Sequence, residues 1–137
     1  MHPILFAALH GLVKGYALKS APLKDPLHSV VVAPLREEYA YRAPLANAAA
    51  SGSDDLLSAT AFGLAHFDPA EPPGHRAMRV LDAGLGGLVY TRAMRSGGLA
   101  DSIFAHAIHN AMVGIGGTVA RKRAAVRPIK LKIGSKK

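Results

Sequence analysis

Between Asp101 and the cluster Arg121-Lys122-Arg123, the stretch SIFAHAIHNAMVGIGGTVA runs for 19 residues without a formal charge. A helix of that length matches the ~30 Å hydrocarbon core of a bilayer, which takes ~20 residues to cross. A buried helix of a soluble protein satisfies the same count. The basic cluster that follows favours the membrane, because Lys and Arg accumulate on the cytoplasmic flank of spanning helices. Read as a spanning helix, the run would put the C-terminus in the cytoplasm; hydropathy alone barely separates that reading from a buried helix. The other charge-free runs, 1–13, 26–35, 43–53, 56–67 and 83–91, are shorter.

Charge is placed unevenly. The 137 residues carry a net charge of +8, yet through residue 120 the acids and bases cancel. The whole excess lies in RKRAAVRPIKLKIGSKK, which contains no acid. Such a tail suits anionic lipid, or stays solvated. A small soluble basic protein that grips nucleic acid with its tail is the alternative class, and steep salt dependence of binding would mark it; no nucleic-acid partner is expected. Cys is absent, which removes disulfides and thiolate chemistry. The N-terminal MHPILFAALHGLVKG lacks a basic leader and an Ala-x-Ala site, so no secretory signal is expected. One domain is expected, read as an apolar helix and connector over 1–24, a core over 25–120 and a basic cytoplasmic tail over 121–137.

The periodicity is helical, and no alternating run is long enough for a sheet. A first helix is expected over 3–18, interrupted by Lys14. A Pro-containing connector follows. Pro34 suits the first turn of a helix that carries Arg36 to Arg42, and Pro44 kinks or ends it. Ser53-Asp54-Asp55 predicts the start of a helix through Phe67. FDPAEPPGHR reads as a loop, with a helix from about Ala77 to Met94 after it. Ser96-Gly97-Gly98 turns the chain into the last helix. Gly84, Gly86 and Gly87 read as packing positions, since small residues let membrane helices approach closely.

Three pairings at helical spacing carry the chemistry. Glu38 and Arg42 are four apart and share a face, which turns Glu37 to a neighbouring one. Phe62 and His66 are four apart, and so are His106 and Asn110. At ordinary residue usage the three patterns coincide in about one chain per thousand of this length. No His-Glu-x-x-His helix, nucleophile elbow or phosphate-binding glycine loop is present.

In this order the motifs resemble those of the CAAX protease and bacteriocin-processing family of glutamic-type intramembrane proteases. Its signature is Glu-Glu-x-x-x-Arg, then Phe-x-x-x-His, then His-x-x-x-Asn, each on a membrane helix. VVAPLREE before the first motif and GLGGLVYTRAMRSGGLADSIFAHAIHN through the last are also similar to the family, and the likeness covers roughly residues 28 to 118. Ala43-Pro44 stand where the family usually has Gly after the motif arginine. The resemblance implies an all-α, multi-pass transmembrane bundle of about four core helices. It implies an endopeptidase acting on a protein or peptide substrate in the membrane, with Glu37 and His66 activating water, His106 and Asn110 donating to the oxyanion, and Glu38 and Arg42 shaping the site. No cofactor is needed on that reading. Zinc is the alternative, because two His and a Glu suit it. Relatives trim prenylated CAAX tails, act in bacteriocin processing or immunity, or cleave sorting signals, and no residue here selects among these.

Each motif also has a plain structural reading. Glu37, Glu38 and Arg42 would form a solvated helix face, and His66 and His106 would be hydrogen-bonded core histidines. Phe62 reads as packing, and His109 as a neighbour of the site. His2, His10, His28 and His75 match no motif and are expected at the surface. A non-catalytic scaffold or self-immunity protein of the same fold is the competing function.

Overall fold

The computed structural model describes residues 2–46 and 51–125. The described residues form helices and connections, as the periodicity predicts. Helix α1 spans Pro3–Ala17. A π-helical turn, His28–Val32, leads without a break into α2, Ala33–Tyr41. Helix α3 spans Gly52–Ala65, and α4 spans Pro73–Ala125 with a break at Gly98.

Pro34 explains the wide turn. It has no N–H to donate, and its ring crowds the carbonyl one turn back. The preceding ladder loosens, so that the Ala33 amide bonds His28 O, five residues back. After Arg42 the chain tightens into a 3₁₀ turn, Ala43–Leu45, which is the helix end expected at Pro44.

Three expected boundaries move. Helix α3 is capped by Ser51, whose Oγ accepts from the Asp54 amide at 3.3 Å, and not by Ser53. Asp54 and Asp55 then occupy its first turn, where carboxylates offset the helix dipole. His66 is its C-cap, so the helix stops short of Phe67. Helix α4 begins at Pro73, which places Pro-Gly-His-Arg of the expected loop inside its first turn; proline is well tolerated there because the missing N–H has no partner anyway.

Gly98, with φ 82°, reverses the chain and divides α4 into limbs 73–97 and 99–125. In one straight helix Tyr90 and His106 would stand ~24 Å apart at 1.5 Å per residue. Instead their rings stack at 4.4 Å, and Ser102 Oγ lies 2.9 Å from the Tyr90 carbonyl. The limbs therefore lie side by side as a hairpin.

Small residues make the helix contacts. Ala7, Gly11 and Gly15, four apart, form the buried face of α1. A Cβ on Gly11 would stand 2.4 Å from the His109 carbonyl oxygen, and one on Gly15 2.1 Å from that of Val113. Gly63 also sits close to the Val80 carbonyl, at 2.7 Å for a Cβ. Large apolar residues face outward instead: Leu5, Leu9 and Val13 on α1, Leu56, Leu57 and Leu64 on α3, Leu81, Leu85, Phe104 and Ile115 on α4. Leu5, Leu9 and Val13, four apart, form an exposed apolar stripe along α1, which a soluble monomer rarely leaves open. Small residues inside and large ones outside suit helices that pack within lipid.

Among the described residues one helix, α4, is long and apolar enough to cross a membrane. Helices α1 and α3, of 15 and 14 residues, reach only ~21–23 Å at 1.5 Å per residue, short of a ~30 Å core. The all-α expectation holds, and among the described helices the length and apolarity needed to cross a membrane are found in α4 alone. The tail beyond Ala125 lies outside the described residues.

Candidate active site

Helix α2 turns Glu38 fully inward. Glu38 and Arg42 are both 0% exposed, and Arg42 Nε lies 3.4 Å from Glu38 Oε2. This is the four-residue pairing expected from sequence, buried where a lone charge would cost several kcal/mol. Arg42 Nη2 also donates to the Gly87 carbonyl at 2.9 Å. Its guanidinium lies 4.4 Å from the centre of the Phe62 ring and within 6 Å of the rings of Tyr41 and Tyr90, so aromatic faces supply part of its counter-charge. Gly87 makes this possible: a Cβ there would stand 2.9 Å from Arg42 Nη2 and 3.1 Å from Ala59 Cα. The glycine is a packing position, as its spacing suggested, and it also seats the arginine.

Glu37, the adjacent residue, points elsewhere. Its Oε2 lies 3.7 Å from His106 Nε2 and 3.9 Å from His66 Nε2. That oxygen is buried and makes no hydrogen bond among the described residues. Separations of this size exceed a direct hydrogen bond and are in the range where one bridging water joins two groups. Two open pockets, of about 470 and 350 Å³, meet at Glu37 and Tyr41; His66 and Arg79 line the first, His28 and Arg36 the second.

The partners of the two histidines fix their tautomers. His66 Nδ1 lies 2.8 Å from the Phe62 carbonyl oxygen. A carbonyl only accepts, so Nδ1 carries the hydrogen and the neutral ring turns a bare Nε2 toward Glu37. His106 Nδ1 lies 2.8 Å from Glu38 Oε1 and donates in the same sense. A water between Glu37 and His66 thus meets an acceptor on either side.

Asn110 stands one turn beyond His106. Its Nδ2 donates to the Ser29 carbonyl at 2.8 Å, which ties the π turn before α2 to α4. The other five expected residues converge directly: Glu37 on His66 and His106, Glu38 on His106 and Arg42. Phe62 is buried beneath them and meets His66, His106 and Tyr90 through its ring, which agrees with a packing role.

Two supporting residues escaped the sequence reading. Ser102, fully buried, donates its hydroxyl to Glu38 Oε2. Tyr90 stacks on the His106 ring at an interplanar angle of 10°. His10 is also corrected: it is half-buried against α4, with Nε2 3.4 Å from Asp82 Oδ1 and its ring 5.1 Å from that of His109. Lys14, which looked like an interruption of α1, pairs with the same Asp82. His109 is buried beside the site, with its ring 6.2 Å from Tyr90.

Residues 19–112 match the family described as type II CAAX prenyl endopeptidase, Rce1-like. The chain belongs to this family. The match covers all three motifs, so the likeness seen in the sequence and the convergence of Glu37, Glu38, Arg42, His66 and His106 fall within one Rce1-like segment. It begins after α1, so the helix that contributes His10 and Lys14 lies outside it. Comparison with curated proteins and with solved structures gave no match. Among the described residues, no group of three His, Cys, Asp or Glu side chains is placed to hold a metal ion.

Proposed function

We propose that this Rce1-like chain is an intramembrane endopeptidase that hydrolyses a peptide bond of a protein or peptide substrate with water activated by Glu37 and His66. The observation that carries the reading is Glu37 Oε2, buried without a hydrogen-bond partner among the described residues and 3.7–3.9 Å from two imidazole nitrogens. Glu38 is neutralised by Arg42, which leaves Glu37 free to act.

Glu37 takes a proton from the water while His66 Nε2 accepts its second hydrogen and fixes its direction. The water oxygen adds to the scissile carbonyl carbon, and its C=O electron pair moves onto oxygen. His106, held at Nδ1 by Glu38 and carrying a hydrogen on Nε2, donates to that oxyanion together with the second amide hydrogen of Asn110. The C–N bond then breaks, and the proton held by Glu37 passes to the leaving nitrogen. No step runs through a metal. The bare Nε2 of His66 suits water activation, and the Glu38 contact at Nδ1 orients His106 as a donor, much as a carboxylate orients the imidazole in hydrolytic triads.

The test is cleavage of a prenylated peptide by Glu37→Gln and His66→Ala, each purified as a folded membrane protein. Loss of general-base help costs ~10²–10⁴ in rate. Either variant within about twofold of wild type would sink the mechanism. Full biological function in Glu37→Gln would favour the scaffold or immunity reading. Activity is expected to survive a strong chelator; loss that zinc alone restores would move Glu37, His66 and His106 to a metal mechanism.

A further inference from the structure

The segment ahead of α2 lies along the 99–125 limb. Between them runs an apolar groove of about 470 Å³, walled by Leu23, Pro26 and Val30 on one side and Ala111, Ile115 and Val119 on the other. A Cβ on Gly114 would stand 3.1 Å from Leu23 Cγ, so the glycine lets the connector settle close to the helix. The last lining residue along the limb is Lys122. From Ala111 to Lys122 the groove follows the limb for ~16 Å at 1.5 Å per residue, about half of a ~30 Å hydrocarbon core, or one leaflet.

The three basic residues at that end differ in their engagement. Arg121 donates to Thr118 Oγ1 at 3.1 Å and to the Lys19 carbonyl at 3.3 Å. Arg123 donates to the Tyr16 hydroxyl at 3.1 Å. Lys122 is exposed, with no hydrogen bond or ion pair among the described residues. No acidic side chain lines the groove.

We propose that this groove and Lys122 hold one anionic phospholipid, with an acyl chain along the apolar walls and the phosphate at Lys122 Nζ. The depth of one leaflet fits a lipid chain. A lysine at the end of an apolar trench extends its stem along apolar surface and keeps its ammonium at headgroup level. Basic pockets against membrane helices recognise anionic headgroups in this way. None of the residues lining the groove takes part in the proposed hydrolysis.

The experiment is native mass spectrometry of the full chain released from bilayers of equal phosphatidylglycerol and phosphatidylcholine. One retained phosphatidylglycerol is expected, preferred over phosphatidylcholine. Lys122→Gln should lower that preference about fivefold, the equivalent of ~1 kcal/mol for one surface cation. Ala111→Phe, which fills the groove, should reduce retention of both lipids. Lys132→Gln, a tail control, should change little. Equal retention of the two lipids by the wild type, an equal fall in both lysine variants, or unchanged retention in Ala111→Phe would overturn the site. Displacement of the lipid by a farnesylated peptide would assign the groove to substrate and overturn it as well.

Discussion

His106 Nδ1 lies 2.8 Å from Glu38 Oε1, and both side chains are almost wholly buried. The same glutamate faces Arg42 and receives the Ser102 hydroxyl, so its oxygens are committed on both sides. Glu37, one residue earlier, has an oxygen with no such commitment. Adjacent carboxylates thus divide the work: Glu38 balances Arg42 and orients His106, and Glu37 is left facing the two Nε2 atoms.

Glu38→Gln keeps the volume and removes the charge that balances Arg42. Breaking a buried pair by removing one partner costs about 3–5 kcal/mol. The variant is expected to melt well below wild type in detergent. The double variant Glu38→Gln with Arg42→Met should recover part of that loss, because no charge is then left buried alone. A wild-type melting temperature in Glu38→Gln would show that the pair does not hold the fold.

Ser102→Ala removes a hydroxyl from Glu38 Oε2 while leaving Glu37 and both histidines in place. The positioning of His106 should loosen, so kcat should fall about tenfold, equivalent to ~1.4 kcal/mol, with KM little changed. A changed KM at constant kcat would instead place Ser102 among groups that bind substrate.

Gly11→Val and Gly15→Val test the seating of α1. The added Cβ atoms would collide with the carbonyl oxygens of His109 and Val113, which belong to helix backbone and cannot step aside. Overpacking of this kind costs about 1–3 kcal/mol, and the Lys14–Asp82 contact would be strained with it. Both variants should melt earlier. Unchanged melting in both would mean that α1 is not packed on the limb at this depth.

The parts of the site that lie within one helical turn were legible from the chain. Glu38 and Arg42 share a face because they are four apart, and Glu37 must then point aside. What escaped depends on distant packing. Ser102 meets Glu38 across 64 residues, and Lys14 meets Asp82 across 68; no local period encodes such partners. Tyr90 finds His106 only because Gly98 folds the limbs together. Gly11-x-x-x-Gly15 is a different case, a small-residue spacing plainly present in GLVKG but overshadowed by the Lys14 within it. The shift of the α3 cap from Ser53 to Ser51 reflects two equivalent hydroxyls two residues apart, either of which chemistry would accept.

The run from Ser102 to Ala120 leads into Arg121, Lys122 and Arg123, and the remaining basic residues of the tail follow. Positive charge after a spanning segment holds that end on the cytoplasmic side, at ~1 kcal/mol for each residue close to anionic headgroups. A reporter fused to the C-terminus should therefore be reachable only from the cytoplasm. Deleting residues 124 to 137 leaves the three-residue cluster as the stop signal, so insertion should persist. Glu37, His66 and His106 all lie upstream, so cleavage should persist too. A reporter reached only from the outer face would invert the topology. Loss of cleavage on deletion, with insertion intact, would give the tail a part in handling substrate.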